Sequence, residues 1–128
     1  MPTERNILFR GKEIKSRKWI KGYVFKSNNK TYIRPIHSKK TVEIIPKTVG
    51  QYAGLNDRHN DMIYEGDIIN VYHNKELLNV SYIYFDRGEY KCGLISGGFI
   101  DEVETLPEQY MKFGIEIVGN IFDDKTVG

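Results

Sequence analysis

Seven basic side chains, Arg10, Lys12, Lys15, Arg17, Lys18, Lys21 and Lys26, surround the rings of Trp19, Tyr23 and Phe25 near the start of this chain. Cations interleaved with aromatics can hold phosphates while the rings stack on unpaired bases, which is the chemistry of single-strand nucleic-acid binding. The alternating pattern sets a competing expectation. Trp19, Tyr23 and Phe25 fall on one parity, so a strand here turns its rings inward as a row and leaves a lysine-rich outer face that discourages edge-to-edge pairing. On that geometry base stacking is lost. Phosphate attraction through Arg10, Lys12, Lys15, Arg17, Lys18 and Lys21 remains.

Other residues with chemical potential are more dispersed. Glu65 and Asp67 flank Gly66 and have the look of a carboxylate pair for acid–base work or Mg²⁺. A Gly-Asp step entering Ile68-Ile69-Asn70-Val71 is equally a way to start a strand, with the Asp bonding loop amides and the Gly allowing a bend; the structural reading is preferred. Gly50-Gln51-Tyr52-Ala53-Gly54 is too poor in glycine for a phosphate loop and lacks the Gly-Lys-Ser/Thr ending. Gln51 and Tyr52 either bond their loop to the scaffold or, with Asp57, Glu65 and Asp67, present a partner-binding loop surface. His37, His59 and His73 lie in separate segments without metal-ligand spacing, and Cys92 alternates with Tyr90 and Leu94 as a buried small side chain would. No catalytic or metal-binding constellation and no cofactor motif emerges, so binding rather than enzymatic activity is expected.

Charge is unevenly distributed. Residues 1–40 carry twelve lysines and arginines against two glutamates, a net of +10, while the rest carries seven basic against fifteen acidic side chains, a net of −8. Such polarity predicts a polyanion-binding face or a basic surface docking on an acidic one, as in head-to-tail homo-oligomers. A single cysteine excludes a disulfide framework, no apolar run approaches the length of a membrane span, and Met1 to Asn6 lack the apolar segment of a signal peptide. A soluble protein of a reducing cytoplasm with no membrane partner is expected.

These side chains must be positioned by strands, because period-two patterning dominates the chain. Strands are predicted over Ile7–Arg10, Trp19–Phe25, Thr31–Arg34, Thr41–Ile45, Asp67–Tyr72, Leu77–Phe85, Tyr90–Ser96, Phe99–Val103 and Ile115–Phe122. Met62-Ile63-Tyr64 follows a polar turn over residues 56–61, and the segment from 46 to 61 reads as a loop. Asn28-Asn29 and Asp86-Arg87-Gly88-Glu89 are hairpin turns. Pro107 opens the one stretch, Pro107–Lys112, that invites a helical turn. The fold class that follows is all-β, a small antiparallel barrel-like fold or sandwich with at most one short helix. One domain spans 1–128, with a basic N-terminal β lobe over 1–46 and a barrel lobe over 62–123.

The ordered blocks resemble those of the YopX family, small proteins encoded mostly in phages and prophages. Phe9-Arg10-Gly11-Lys12 followed by Trp19-Ile20-Lys21-Gly22 is similar to its opening pattern. Thr48-Val49-Gly50-Gln51-Tyr52, Gly54-Leu55 and Asp57 are similar to its middle block, and Ile63-Tyr64-Glu65-Gly66-Asp67-Ile68 to the next. Glu116-Ile117-Val118-Gly119-Asn120-Ile121-Phe122 resembles its closing strand. The family usually has Asn-Gly before Ile-Tyr-Glu-Gly-Asp; here Asn60-Asp61 stands there, and Asp61 is expected to take the left-handed conformation. The resemblance implies a barrel-like fold of orthogonally packed sheets and a phage or prophage accessory protein in the bacterial host cell, whose partner is a host or phage protein or a second copy. A nucleic-acid-binding module using the basic lobe is the alternative.

Overall fold

The computed structural model describes residues 7–97, 105–107, 110 and 113–123. The chain divides into two compact units, residues 1–52 and 53–128. By sequence the first unit carries thirteen basic and three acidic residues, so the +10 and −8 charges separate at the unit boundary as well.

The first unit contains β1 (Phe9–Lys12), β2 (Trp19–Ser27), β3 (Lys30–Pro35), β4 (Val42–Ile44), a 3-10 turn at Pro46–Thr48 and the start of β5 (Gly50–Asn56). Its strands run in the order β4-β3-β2-β1-β5, all pairs antiparallel where the register is defined. Asn28 and Asn29 both take positive φ (51° and 64°), as a two-residue primed hairpin turn requires, and they place Tyr23 opposite Arg34 and Phe25 opposite Tyr32. The interior is small. A Cβ on Gly11 would collide with Ile44 Cγ2 and press on Ile33 Cδ1, so glycine is what lets β1 lie against those two fully buried isoleucines. Buried Thr48 closes the connection: its hydroxyl donates to the Ile45 carbonyl (2.7 Å) and accepts the Lys12 N–H (2.9 Å).

β5 corrects the expected loop between 46 and 61. Gly50 and Gln51 pair with Arg10 and Phe9, and the Tyr52 N–H donates to the Leu8 carbonyl at 2.8 Å. The partner lies some forty residues away in sequence, so local turn signals could not reveal the pairing. β5 continues into the second unit, where its far end lies beside β6 (Met62–Tyr64).

The second unit also holds a four-stranded antiparallel sheet, β10-β7-β8-β9, built from β7 (Asp67–His73), β8 (Glu76–Asp86), β9 (Glu89–Gly97) and β10 (Gly114–Asn120). Ile63, Ile69, Val71, Ile83, Cys92, Leu106 and Ile115 form its core, with Ala53, Leu55, Tyr90, Phe113 and Ile117 packed around them. Arg87 and Gly88 take positive φ at the hairpin predicted there. Leu106, Pro107 and Tyr110 are helical; the rest of the expected helical turn, and the expected strand Phe99–Val103, lie outside the described residues.

The all-β class therefore holds, while the barrel expectation is corrected to open sheets. In the first unit one isolated bridge, Glu13 to Ile44, and the bonds Ile14 N–H to Glu43 O (3.0 Å) and Ile45 N–H to Lys12 O (2.9 Å) bring the end of β1 to the free edge of β4. This curls the sheet without a continuous closing ladder. In the second sheet β10 and β9 remain the two edges. No helix among the described residues is long and apolar enough to cross a membrane.

The β7–β8 hairpin turns through Asn74 and Lys75 at φ 50° and 69°, so a lysine occupies a position that favours glycine. Lys75→Gly restores the Asn-Gly turn and is expected to stabilise the protein by about 0.5–1 kcal/mol. A higher urea midpoint at unchanged slope would register this gain.

Candidate nucleic-acid interface

Strand β2 buries the side opposite to the one expected. Gly22 is buried and Ile20 and Val24 are half-buried, while Tyr23 and Phe25 are 56% and 41% exposed. The inward set is the even-numbered one because a tightly curled sheet with Gly11 at its centre has room for small and β-branched side chains, not for rings. The aromatic row is therefore an outward row.

On this outer face each ring has a cross-strand neighbour given by the register. Trp19 stands opposite Lys12, with the Arg10 guanidinium 4.4 Å and the Lys12 ammonium 5.4 Å from the ring centroid. Tyr23 stands opposite Arg34. Phe25 stacks on its partner Tyr32 with centroids 5.4 Å apart and an interplanar angle of 20°. Tyr23, Phe25 and Arg34, together with Pro35, His37 and Lys39, line an open groove of ≈ 710 Å³. The Arg34 Nε–H reaches the Ser38 carbonyl at 3.5 Å, a long contact that leans the guanidinium toward the 36–38 turn. Lys26, Lys30, Arg34, Lys39 and Lys40 make no ion pair with a described residue.

The six basic residues singled out from sequence thus divide. Arg10 is buried and Lys12 half-buried on Trp19, in cation–π contacts worth about 0.5–2 kcal/mol that hold the sheet face together. Lys15, Arg17 and Lys18 are exposed on the β1–β2 connection, where Arg17 sits at φ 62°, and Lys21 is exposed on β2. Sequence reasoning missed Tyr32, Arg34, His37 and Lys39. The first two were recoverable: a two-residue turn at Asn28-Asn29 fixes which residues of β3 face Tyr23 and Phe25.

The candidate loop residues are divided between the two units. Gln51 and Tyr52 lie half-buried on β5 in the first unit. In the second, the buried Asp57 carboxylate accepts three backbone N–H groups, from His59 (2.9 Å), Asp61 (2.9 Å) and Ile117 (3.0 Å), tying the 57–61 turn to β10. Burial pushes its pKa up, but those bonds and the nearby His59 outweigh it and hold the carboxyl below its ordinary 3.8. The turn's left-handed residue is Asn60 (φ 67°), not Asp61, so the missing glycine is not needed at position 61. Asp67 is fully buried and accepts the Tyr64 N–H at 2.8 Å. Between them Gly66, at φ +89°, donates to the Ile83 carbonyl and accepts from the Ile121 N–H (both 2.8 Å), and half-buried Glu65 sits on the same turn.

A further polar cluster joins that turn to the sheet. His59 Nε2 and Glu116 Oε2 are 2.7 Å apart, the Tyr72 hydroxyl donates to Glu116 Oε1 (3.1 Å) and accepts from Asn70 Nδ2 (3.1 Å), and Arg58 lies over the Tyr72 ring. The His59 and Tyr72 hydrogen bonds hold the Glu116 carboxyl below its usual range. Among the described residues no three His, Cys, Asp or Glu side chains gather as metal ligands. Cys92 is buried, which pushes its thiol up to about 12 and leaves no thiolate for nucleophilic chemistry near neutral pH.

A family model described as YopX protein matches residues 3–126, nearly the whole chain. None of the curated proteins matches it.

Asp57→Asn retains one acceptor oxygen and turns an amide toward backbone donors, for an expected loss of about 1–3 kcal/mol. Because the folded pKa is depressed, the wild-type carboxylate contributes fully above 3.8 and its contribution drains as pH falls below that value. Urea midpoints measured from pH 7 down to about 2.5 should converge for the two proteins at the acid end. Cys92 should resist alkylation at pH 8 in the native protein and react at once in denaturant, followed by mass spectrometry.

Proposed function

This chain belongs to the YopX family, and from that premise we propose that it is a phage or prophage accessory protein that binds single-stranded nucleic acid through the outward face of β2 and β3. The observation that carries this reading is the exposure of Tyr23 and Phe25 beside Arg34 and Lys39, cations that no described carboxylate neutralises.

The physics runs from sheet to ligand. An aromatic ring on a rigid strand is a stacking platform that is already ordered, so a base gains contact without the protein losing much side-chain entropy. Duplex DNA hides its base faces; only unpaired bases can use Tyr23 and Phe25. The surrounding lysines and Arg34 attract the backbone and release counterions when they meet phosphates. Lys21 has the same strand parity as the two rings on β2, while Lys15, Arg17 and Lys18 extend the positive field along the connection to β1. Five-stranded OB barrels bind oligonucleotides on the face of their second and third strands, which supports the assignment by analogy alone.

Fluorescence anisotropy with a labelled dT12 oligonucleotide tests this. Binding is expected at ~50 mM salt, with log affinity falling against log salt at a slope of about −2 to −3, as for three or four phosphate contacts. The pair Tyr23→Ala and Phe25→Ala should weaken it at least about tenfold at unchanged thermal stability. No binding at low salt overturns the proposal. So does self-association by light scattering that the double variant abolishes while oligonucleotide still fails to bind, which would assign the face to a second copy.

A further inference from the structure

Resting on the nucleic-acid reading of this face, we infer that Glu43 selects the base that stacks beside Tyr32, favouring guanine. The face is otherwise cationic: residues 7–52 contain twelve lysines and arginines and only two carboxylates, Glu13 and Glu43. Glu13 lies at the sheet's curl, in the bridge to Ile44. Glu43 is different. The β3–β4 register sets it directly opposite Tyr32, next in line after the stacked Phe25–Tyr32 pair, so three strands contribute one row of Phe25, Tyr32 and Glu43.

Glu43 is half-buried and its side chain makes no ion pair or hydrogen bond with a described residue, although unpaired lysines are abundant in this unit. A carboxylate there lowers the attraction for every phosphate, so it works against general affinity. What it adds is an acceptor pair beside an aromatic platform. Directly opposite positions in an antiparallel pair bring Cβ atoms to roughly 5 Å, close enough for a glutamate to meet the edge of a base lying on the neighbouring ring.

The acceptor chemistry discriminates among bases. A carboxylate offers two oxygens and no donor, and it matches two parallel N–H groups best. Guanine alone presents such a pair on its Watson–Crick edge, the ring N1–H and the exocyclic amino group. Thymine presents one N–H between two carbonyl oxygens, which the carboxylate repels. Cytosine and adenine offer an amino group beside an acceptor nitrogen and fall between. Arg34, one row along opposite Tyr23, is placed to hold the backbone while Glu43 reads the base.

The test compares dT12 with a dT12 in which the two central bases are dG, too short a guanine run to form a quadruplex. Anisotropy titrations at ~50 mM salt, where phosphate contacts are strong, are made with wild type and Glu43→Gln after matching thermal midpoints confirm that both are folded. Wild type should prefer the dG oligonucleotide on the order of tenfold, and Glu43→Gln should cut that ratio to near one while binding dT12 as well as wild type or better. Equal wild-type affinity for both oligonucleotides overturns base selection and leaves the binding face standing. An unchanged ratio with uniformly tighter binding in Glu43→Gln also overturns it, reducing the residue to simple repulsion of phosphate. Failure of wild type to bind either oligonucleotide removes the binding face itself.

Discussion

The contact of Gly11 with Ile33 and Ile44 decides the rest of the first unit. Because glycine removes the Cβ that would collide with Ile44, β1 settles onto two isoleucines that are then sealed from water. An interior this narrow accepts Val24 and Thr31 but not indole or phenol rings. Strand geometry then leaves no freedom: side chains alternate, so fixing Val24 inside fixes Tyr23 and Phe25 outside. The exposed aromatic–basic face is thus a consequence of how the core is packed, and it exists before any ligand arrives.

Turns convert that parity into composition. The primed turn at Asn28-Asn29 sets the register that lines Arg34 up with Tyr23 and Tyr32 with Phe25, and the short β4 adds Glu43 to the same row. At the other end of β2 the same alternation brings Trp19 beside Lys12 and Arg10, where the cations lie on the indole. One face therefore uses cation and ring in two ways. Around Trp19 they satisfy each other and stiffen the sheet; around Tyr23 and Phe25 they remain open to solvent.

The second unit shows why reactive residue types need not mean reactivity. Asp57 and Asp67 supply carboxylates, but both are buried with backbone N–H groups as partners, the usual means of holding an irregular turn where water cannot reach. Asn120 behaves similarly, its side chain accepting the Phe122 and Asp123 N–H groups (both 2.9 Å) where β10 ends. Glu116 is held by His59 and Tyr72, and Cys92 is locked in the core as a thiol. The Asp57 turn and the family-like block from Ile63 to Ile68 are largely a set of such anchors.

Period-two alternation and turn residues determined, without coordinates, that the chain is all-β, where most strands lie, and that Gly66-Asp67 starts a strand. Ordered blocks from Phe9 to Phe122 determined the family, because close spacing of unusual residues is preserved in linear order. Sequence could not reveal β5, whose partner β1 is far away along the chain, nor the openness of the sheets, which depends on whether distant edges meet. Above all it could not choose the inward face of β2. Both parities there are apolar, Trp19-Tyr23-Phe25 on one and Ile20-Val24 on the other, and ring size argues for burying the first. Only the tertiary packing of Gly11 against Ile33 and Ile44 excludes those rings, because the choice depends on the volume available inside a curled sheet.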